Sequence, residues 1–218
     1  MIRRFPKVLK LPTWLVALLL IPYLFLLPRA ATRDDIKVLG VIDGDTLVLD
    51  GKVRLRLRHI DAPELEFCGG QEAKNLLTDL ASGKSVRVEE KIMDQQGRPM
   101  ALVYIGSTLI NQTMLESGWA RYHSDQTSQT DSLKQVAARV KEEKKGIFNQ
   151  NCYQMENLDN PKCNIKANLD KNSDSRLYYL PNCAQYKFTI VEKDIGEAWF
   201  CSEAEARAAG FTRAATCK

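Results

Sequence analysis

Residues 36–58 alternate apolar and polar side chains with a period of two, the period of a strand with one buried face. The runs 36–42 (IKVLGVI) and 46–49 (TLVL) flank Asp43-Gly44, and the run 52–60 (KVRLRLRHI) follows a second Asp-Gly pair, Asp50-Gly51. Asp-Gly between alternating runs is a two-residue hairpin signal, so three strands joined by two such turns are expected. In the third run Val53, Leu55 and Leu57 share one face while Arg54, Arg56 and Arg58 share the other. For Arg54 and Arg58 the expectation is a solvated basic face.

Helical signals then interleave with strands. The stretch 69–83 (GGQEAKNLLTDLASG) reads as a short helix closed by Gly83. Strands follow at 84–92 and 101–106, separated by the turn residues of 93–99 (MDQQGRP). The stretch 107–118 reads as a helix with a Ser107-Thr108 cap and a Gly118 stop. An amphipathic helix follows polar capping residues and runs to Gly146. Five strands with one helix interposed and about three helices in all predict an α+β chain built on a five-stranded OB-fold barrel. Beyond Phe148 the pattern weakens. Residues 151–162 are rich in Asn, Asp and Pro and read as a linker. Residues 163–218 read as a small cysteine-containing module with a helix at 202–209 stopped by Gly210.

Charge divides the chain. Its net +4 comes from residues 1–33, which hold six Lys or Arg and no acid. The remainder is balanced or slightly acidic, so the total is no nucleic-acid signature. Behind the basic start lies an uncharged apolar run at 11–28, near the lower length limit for a membrane-spanning helix, with Pro22 to kink it and Trp14 and Tyr23 suited to the interfaces. An uncleaved anchor is favoured over a signal peptide, because "PRAAT" is a poor cleavage site. The expectation is a single-pass cell-membrane protein with residues 34–150 and 163–218 outside, or a secreted one if the segment is cleaved. The six cysteines contain no C-x-x-C pair and read as disulfides of an exported chain. Cys163, Cys183, Cys201 and Cys217 allow three pairings; Cys68 and Cys152 are left to pair with each other.

Several charged residues fall together at strand ends and turns, although Asp43 can also be a plain turn residue and Arg98 a strand-edge gatekeeper. They are Asp43 and Asp45, then Arg56, Asp61 and Glu64, then Arg98 after Gly97. Hard cations such as calcium take oxygen ligands, arginine forks match phosphate, and a Glu beside a metal can deprotonate water. His59 and His123, the two histidines, lack metal-ligand spacing and read as structural or surface residues.

Four motifs in order make the chain resemble the staphylococcal nuclease (thermonuclease) family. They are Asp43-Gly44-Asp45-Thr46, Arg56 five before Asp61-Ala62-Pro63-Glu64, Gly97-Arg98 before Ala101-Leu102-Val103-Tyr104, and Gly118-Trp119-Ala120. The resemblance covers roughly residues 36–149. It implies that Asp45, Asp61 and the Ala62 backbone carbonyl bind Ca2+, supported by Asp43. It also implies that Glu64 acts on the attacking water and that Arg56 and Arg98 grip the phosphate of DNA or RNA, single-stranded or unwound. The products implied are 3′-phosphate and 5′-hydroxyl ends. Two departures bear on substrate: Gln95-Gln96 stands where relatives carry Lys-Tyr, and Tyr122 is the one aromatic left after Ala120 for base stacking. The tail resembles the sunset module that follows nuclease domains in some exported bacterial proteins. Its "AEARAAGF" is also similar to the zinc domain of bacterial alkylation-repair regulators, but Ala214 replaces a required Cys. The alternatives are a non-catalytic OB-fold module binding nucleic acid or protein at the cell surface, and an envelope protein whose tail is the working part.

Overall fold

The computed structural model describes residues 35–170, 173 and 175–217. The expected membrane segment lies outside these; among the described residues no helix is long and apolar enough to cross a membrane.

The N-terminal part is a closed barrel. Strands β1 (Ile36–Val41), β2 (Thr46–Leu49), β3 (Val53–Leu57), β5 (Ser85–Met93) and β6 (Pro99–Ile105) lie in the order β3-β2-β1-β5-β6, and a parallel β3–β6 pairing joins the ends. Helix α1 (Gly70–Ala81) crosses between β4 (Ile60–Asp61) and β5. Ala73, Leu77 and Ala81 recur every four residues and are fully buried, which fixes the face it presents to the barrel. Leu77→Ala there should cost about 2–5 kcal/mol. The barrel helices are completed by α2 (Ile110–Ser117) and α3 (Thr130–Glu142).

Three local expectations are corrected. Asp43-Gly44 is not a two-residue turn: residues 42–45 all lie between the strands, closed by Ile42 N–H donating to Thr46 O at 2.9 Å. Gly44 is there for close approach, since a Cβ would come within 2.5 Å of Ala73 and 2.6 Å of Ala62. Ser107-Thr108 is not a helix cap. Thr108 pairs with Ile105 across a turn at Gly106-Ser107, forming β7 (Thr108–Leu109) on β6, and α2 starts at Ile110 without a side-chain cap bond. Arg58 is not on a solvated strand face. β3 ends at Leu57, and Arg58 turns inward to be buried. Buried Asn111 spans the place where β3 and β6 diverge: its amide donates to Arg58 O and Ala101 O and accepts from Val103 N–H.

The tail builds on β10 (Ile165–Leu169), which pairs with β11 (Arg176–Tyr179) and β13 (Trp199–Phe200); β14 (Thr212–Arg213) runs parallel to β11. Ile165, Ala167, Tyr178, Ala206 and Phe211 form its core. Ser202 caps α4 (Glu203–Ala208) by accepting from Glu205 N–H. The disulfides expected from export are present as Cys163–Cys201, Cys183–Cys217 and Cys68–Cys152. Within 151–162, β9 (Tyr153–Gln154) pairs with β12 (Val191–Glu192). On the barrel side, β4 pairs with β8 (Arg121–Tyr122), placing Asp61 opposite Arg121.

Candidate active site

Asp45 closes the β1–β2 connection, and its carboxylate is 2 % exposed. Its Oδ1 accepts from the Thr46 hydroxyl at 2.9 Å and its Oδ2 from Ala62 N–H at 3.1 Å. Asp43 Oδ1 accepts from Asp45 N–H at 3.1 Å, so Asp43 shapes the connection. Asp61, at the end of β4, is 56 % exposed. Arg56 stands between these two acids. Register places it opposite Thr46 on β2 and Met100 on β6, and its Nη2 lies 2.7 Å from Asp45 Oδ2 while also contacting Asp61 Oδ1.

Burial pushes the Asp45 carboxyl up to about 7, against the pull of Arg56 and of Ala62 N–H, with Asp43 adding to the rise. A buried carboxyl of this kind is costly to ionise unless a cation stands beside it. Because Asp45 and Asp61 oxygens both touch Arg56 Nη2, they lie within about 5 Å of each other, a span two oxygens on one calcium ion can have. The donors are hard oxygens, which suits calcium in kind. Among the described residues, however, no three acidic, His or Cys side chains converge to hold an ion, so further ligands would come from backbone or water.

Arg98 comes from the opposite side. The β5–β6 connection is ordered by Asp94, whose Oδ1 accepts from Gln96 N–H at 2.9 Å and Arg98 N–H at 2.8 Å. Asp94 Oδ2 takes the Arg98 Nε–H at 2.6 Å. The bond from Arg98 N–H is the main reason the Asp94 carboxyl titrates below its ordinary range. Asp94 is a positioning residue that the motif reading missed, although an acid three before Gly-Arg is a readable Asx-turn signal. A cleft of about 550 Å³ is lined by Asp43, Thr46, Arg54, Arg56, Glu64 and Arg98. Arg56 and Arg98 also line a second cleft with Asp61, Asp94, Gln95 and His123. The two arginines thus form a wall shared by both clefts. Glu64 is exposed on the connection after β4, facing the first cleft. The expected residues therefore gather around Arg56, with Asp45 and Asp61 touching it and Glu64 and Arg98 lining the same cleft.

Arg58 is drawn away from this group. Its Nε and Nη2 meet the Asp125 carboxylate at 2.5 and 2.7 Å, and it donates to Glu90 O and Gln126 O at 2.7 and 2.8 Å. His59 is fully buried with Nε2 2.7 Å from Thr127 Oγ1, whereas His123 is exposed.

The site can be set beside known proteins. A family profile described as "Staphylococcal nuclease homologue" matches residues 54–150. An Escherichia coli O157:H7 protein described as "Uncharacterized endonuclease" is 32 % identical over 116 residues, which cover 51 % of this chain and 75 % of that protein. The chain belongs to the staphylococcal nuclease family. Two further relatives share less of their length. "Probable staphylococcal-like nuclease CAN3" of rice is 42 % identical over 76 residues, 35 % of this chain and 20 % of its own. An "Uncharacterized endonuclease" of Haemophilus influenzae is 34 % identical over 110 residues, 49 % of this chain and 62 % of its own. The profile begins at Arg54, inside β3, so the first strand pair and Asp45 lie before it. It ends at residue 150, before the disulfide-bonded tail.

Proposed function

We propose that this chain is an exported, calcium-dependent nuclease that hydrolyses phosphodiester bonds of DNA and RNA, acting on single-stranded or unwound substrate. The observation that carries the reading is Arg56 held between Asp45 and Asp61, with Arg98 and Glu64 lining the same cleft in a chain of this family. A scissile phosphate in that cleft meets two arginine forks, one from strand β3 and one from the β5–β6 connection, which suits two of its oxygens. Glu64 accepts the proton of a water that attacks phosphorus; the P–O5′ bond breaks and the departing oxygen takes a proton from solvent, leaving a 3′-phosphate and a 5′-hydroxyl. Arg56 and Arg98 stabilise the charge that grows on the phosphoryl oxygens during this step. Asp45, Asp61 and the Ala62 carbonyl would hold calcium, with Asp43 shaping their connection; the ion would supply further positive charge to the phosphate.

Residues 1–33 would serve as the membrane anchor, or as a cleaved leader, with 34–150 as the nuclease part and 163–218 as a small cysteine-containing module, all at the cell surface. Three disulfides support an oxidising compartment. The test is incubation of the purified protein with labelled single-stranded DNA and RNA, with calcium or with chelator. Cleavage with calcium that stops in chelator is expected, and Asp45→Ala should demand far more calcium. Binding without cleavage under every condition would favour the non-catalytic OB-fold module instead.

A further inference from the structure

Glu64 sits on residues 62–69, a connection between β4 and α1 with no strand ladder to hold it. A general base works only within hydrogen-bond reach of its proton, and exposed connections open easily. This one is closed on itself by Phe67 N–H donating to Glu64 O at 2.9 Å and Gly70 N–H donating to Phe67 O at 3.1 Å. It is then gripped from outside, three times, by residues beyond the barrel. Cys68 is bonded to Cys152. Cys68 N–H donates to Lys193 O at 3.3 Å. The Phe67 ring tip lies so close to Gly196 that a Cβ there would come within 2.7 Å of Phe67 Cζ.

The gripping residues are themselves anchored beside the site. Lys193 N–H donates to Cys152 O at 2.8 Å, tying the two clamp points together. The Asp194 carboxylate, 0 % exposed, takes Arg121 Nε–H and Nη2–H at 2.5 and 2.8 Å, and Glu192 meets the same guanidinium at 2.6 Å. Arg121 is the register partner of Asp61. The segment 192–196 thus holds both the strand bearing Asp61 and the connection bearing Glu64.

We infer that this C-terminal segment is a brace for catalysis: Phe67 and Cys68 are positioning residues that fix Glu64 over the cleft through Cys152, Lys193 and Gly196. The inference rests on the assignment of Glu64 as the base. It gives the region beyond the barrel a role in turnover and makes activity depend on the Cys68–Cys152 bond. Thiol reductants should therefore slow the chemical step.

The test uses the full chain and two independent ways of loosening the grip. One is the double variant Cys68→Ala/Cys152→Ala, which leaves no free thiol. The other is Phe67→Ala, which keeps every disulfide and covers the case in which the first fails to fold. Each is made with Glu64 and with Glu64→Gln, and saturating single-turnover rates and KM are measured on a labelled single-stranded oligonucleotide with calcium. With Glu64 present, the rate should fall about 10- to 100-fold while KM stays within about twofold. With Glu64→Gln, the same changes should cost nothing more, because no base remains to be misplaced. Faster hydrogen exchange confined to 62–69 should accompany the loss. Equal losses in both backgrounds would overturn the brace, since the bond would then act on the fold as a whole. A crippled Glu64→Gln beside loosened variants at the wild-type rate would overturn it too. Glu64→Gln at the wild-type rate would instead remove the base assignment, and the inference with it.

Discussion

Arg58→Ala should destabilise this protein rather than slow its chemistry, although Arg58 is two residues from Arg56. The Arg58 side chain is 5 % exposed and that of Asp125, its partner, 18 %. Removing the guanidinium leaves the half-buried Asp125 carboxylate with Gln126 N–H and no countercharge, and breaking a buried pair costs about 3–5 kcal/mol. Glu90 O and Gln126 O also lose their donor, at about 1–3 kcal/mol each where water cannot replace it. Asp125 keeps some contact with solvent, and the cavity left by arginine admits water to both carbonyls, so the carbonyl costs largely vanish, the lower end of the pair cost applies, and about 3–4 kcal/mol is expected in total. For a domain of this size that lowers Tm by roughly 6–16 °C. Urea unfolding in chelator, followed by circular dichroism, measures the loss free of any contribution from calcium. Asp125→Ala and the double variant complete a cycle, which should show a coupling of about 2 kcal/mol or more. Arg54→Ala, at an exposed strand position, should stay within about 0.5 kcal/mol of the parent. A loss below about 1 kcal/mol for Arg58→Ala with no coupling would refute the reasoning and return Arg58 to a solvated basic face.

Arg56→Lys and Arg98→Lys should remain folded yet cleave about 10²–10³-fold more slowly in single turnover, because a point charge cannot reproduce the fork. Asp94→Asn should give a smaller loss, about tenfold, seen mainly in the rate at saturation, since it frees Arg98 without removing it. Unfolding free energy should fall with acid through Asp125. The Arg58 hydrogen bonds hold that carboxyl below its ordinary value of 3.8, so its contribution is complete above that value and lost as pH drops through the folded-state value. Asp125→Asn should flatten that acid limb in a pH series of urea titrations. Alkylation of the denatured but unreduced protein should add no label, and reduction should expose six thiols, as three disulfides require; a labelled thiol before reduction would contradict the pairing.

Much was legible from the chain alone, for local reasons. Period-two alternation at 36–57 and the four-residue recurrence of Ala73, Leu77 and Ala81 report which face each element buries, and burial is what drives them together. Asp45, Arg56 and Asp61 were readable as a group because hard oxygen donors and a phosphate-matching arginine recur together, and the family motifs placed them in order. Other features depended on contacts distant in sequence. Nothing near Arg58 marks it as different from Arg54; its fate is set by Asp125, 67 residues away. Gly44 looks like a turn residue until Ala62 and Ala73 are brought against it. Four tail cysteines permit three pairings, and only the folded sheet that sets Cys163 near Cys201 and Cys183 near Cys217 chooses one. The Cys68–Cys152 pair was expected from the sequence, but the hold of Lys193 and Gly196 on the Glu64 connection was not visible there. Periodicity and turn chemistry act over a few residues, whereas that grip joins segments more than 80 residues apart, and only the closed fold brings them together.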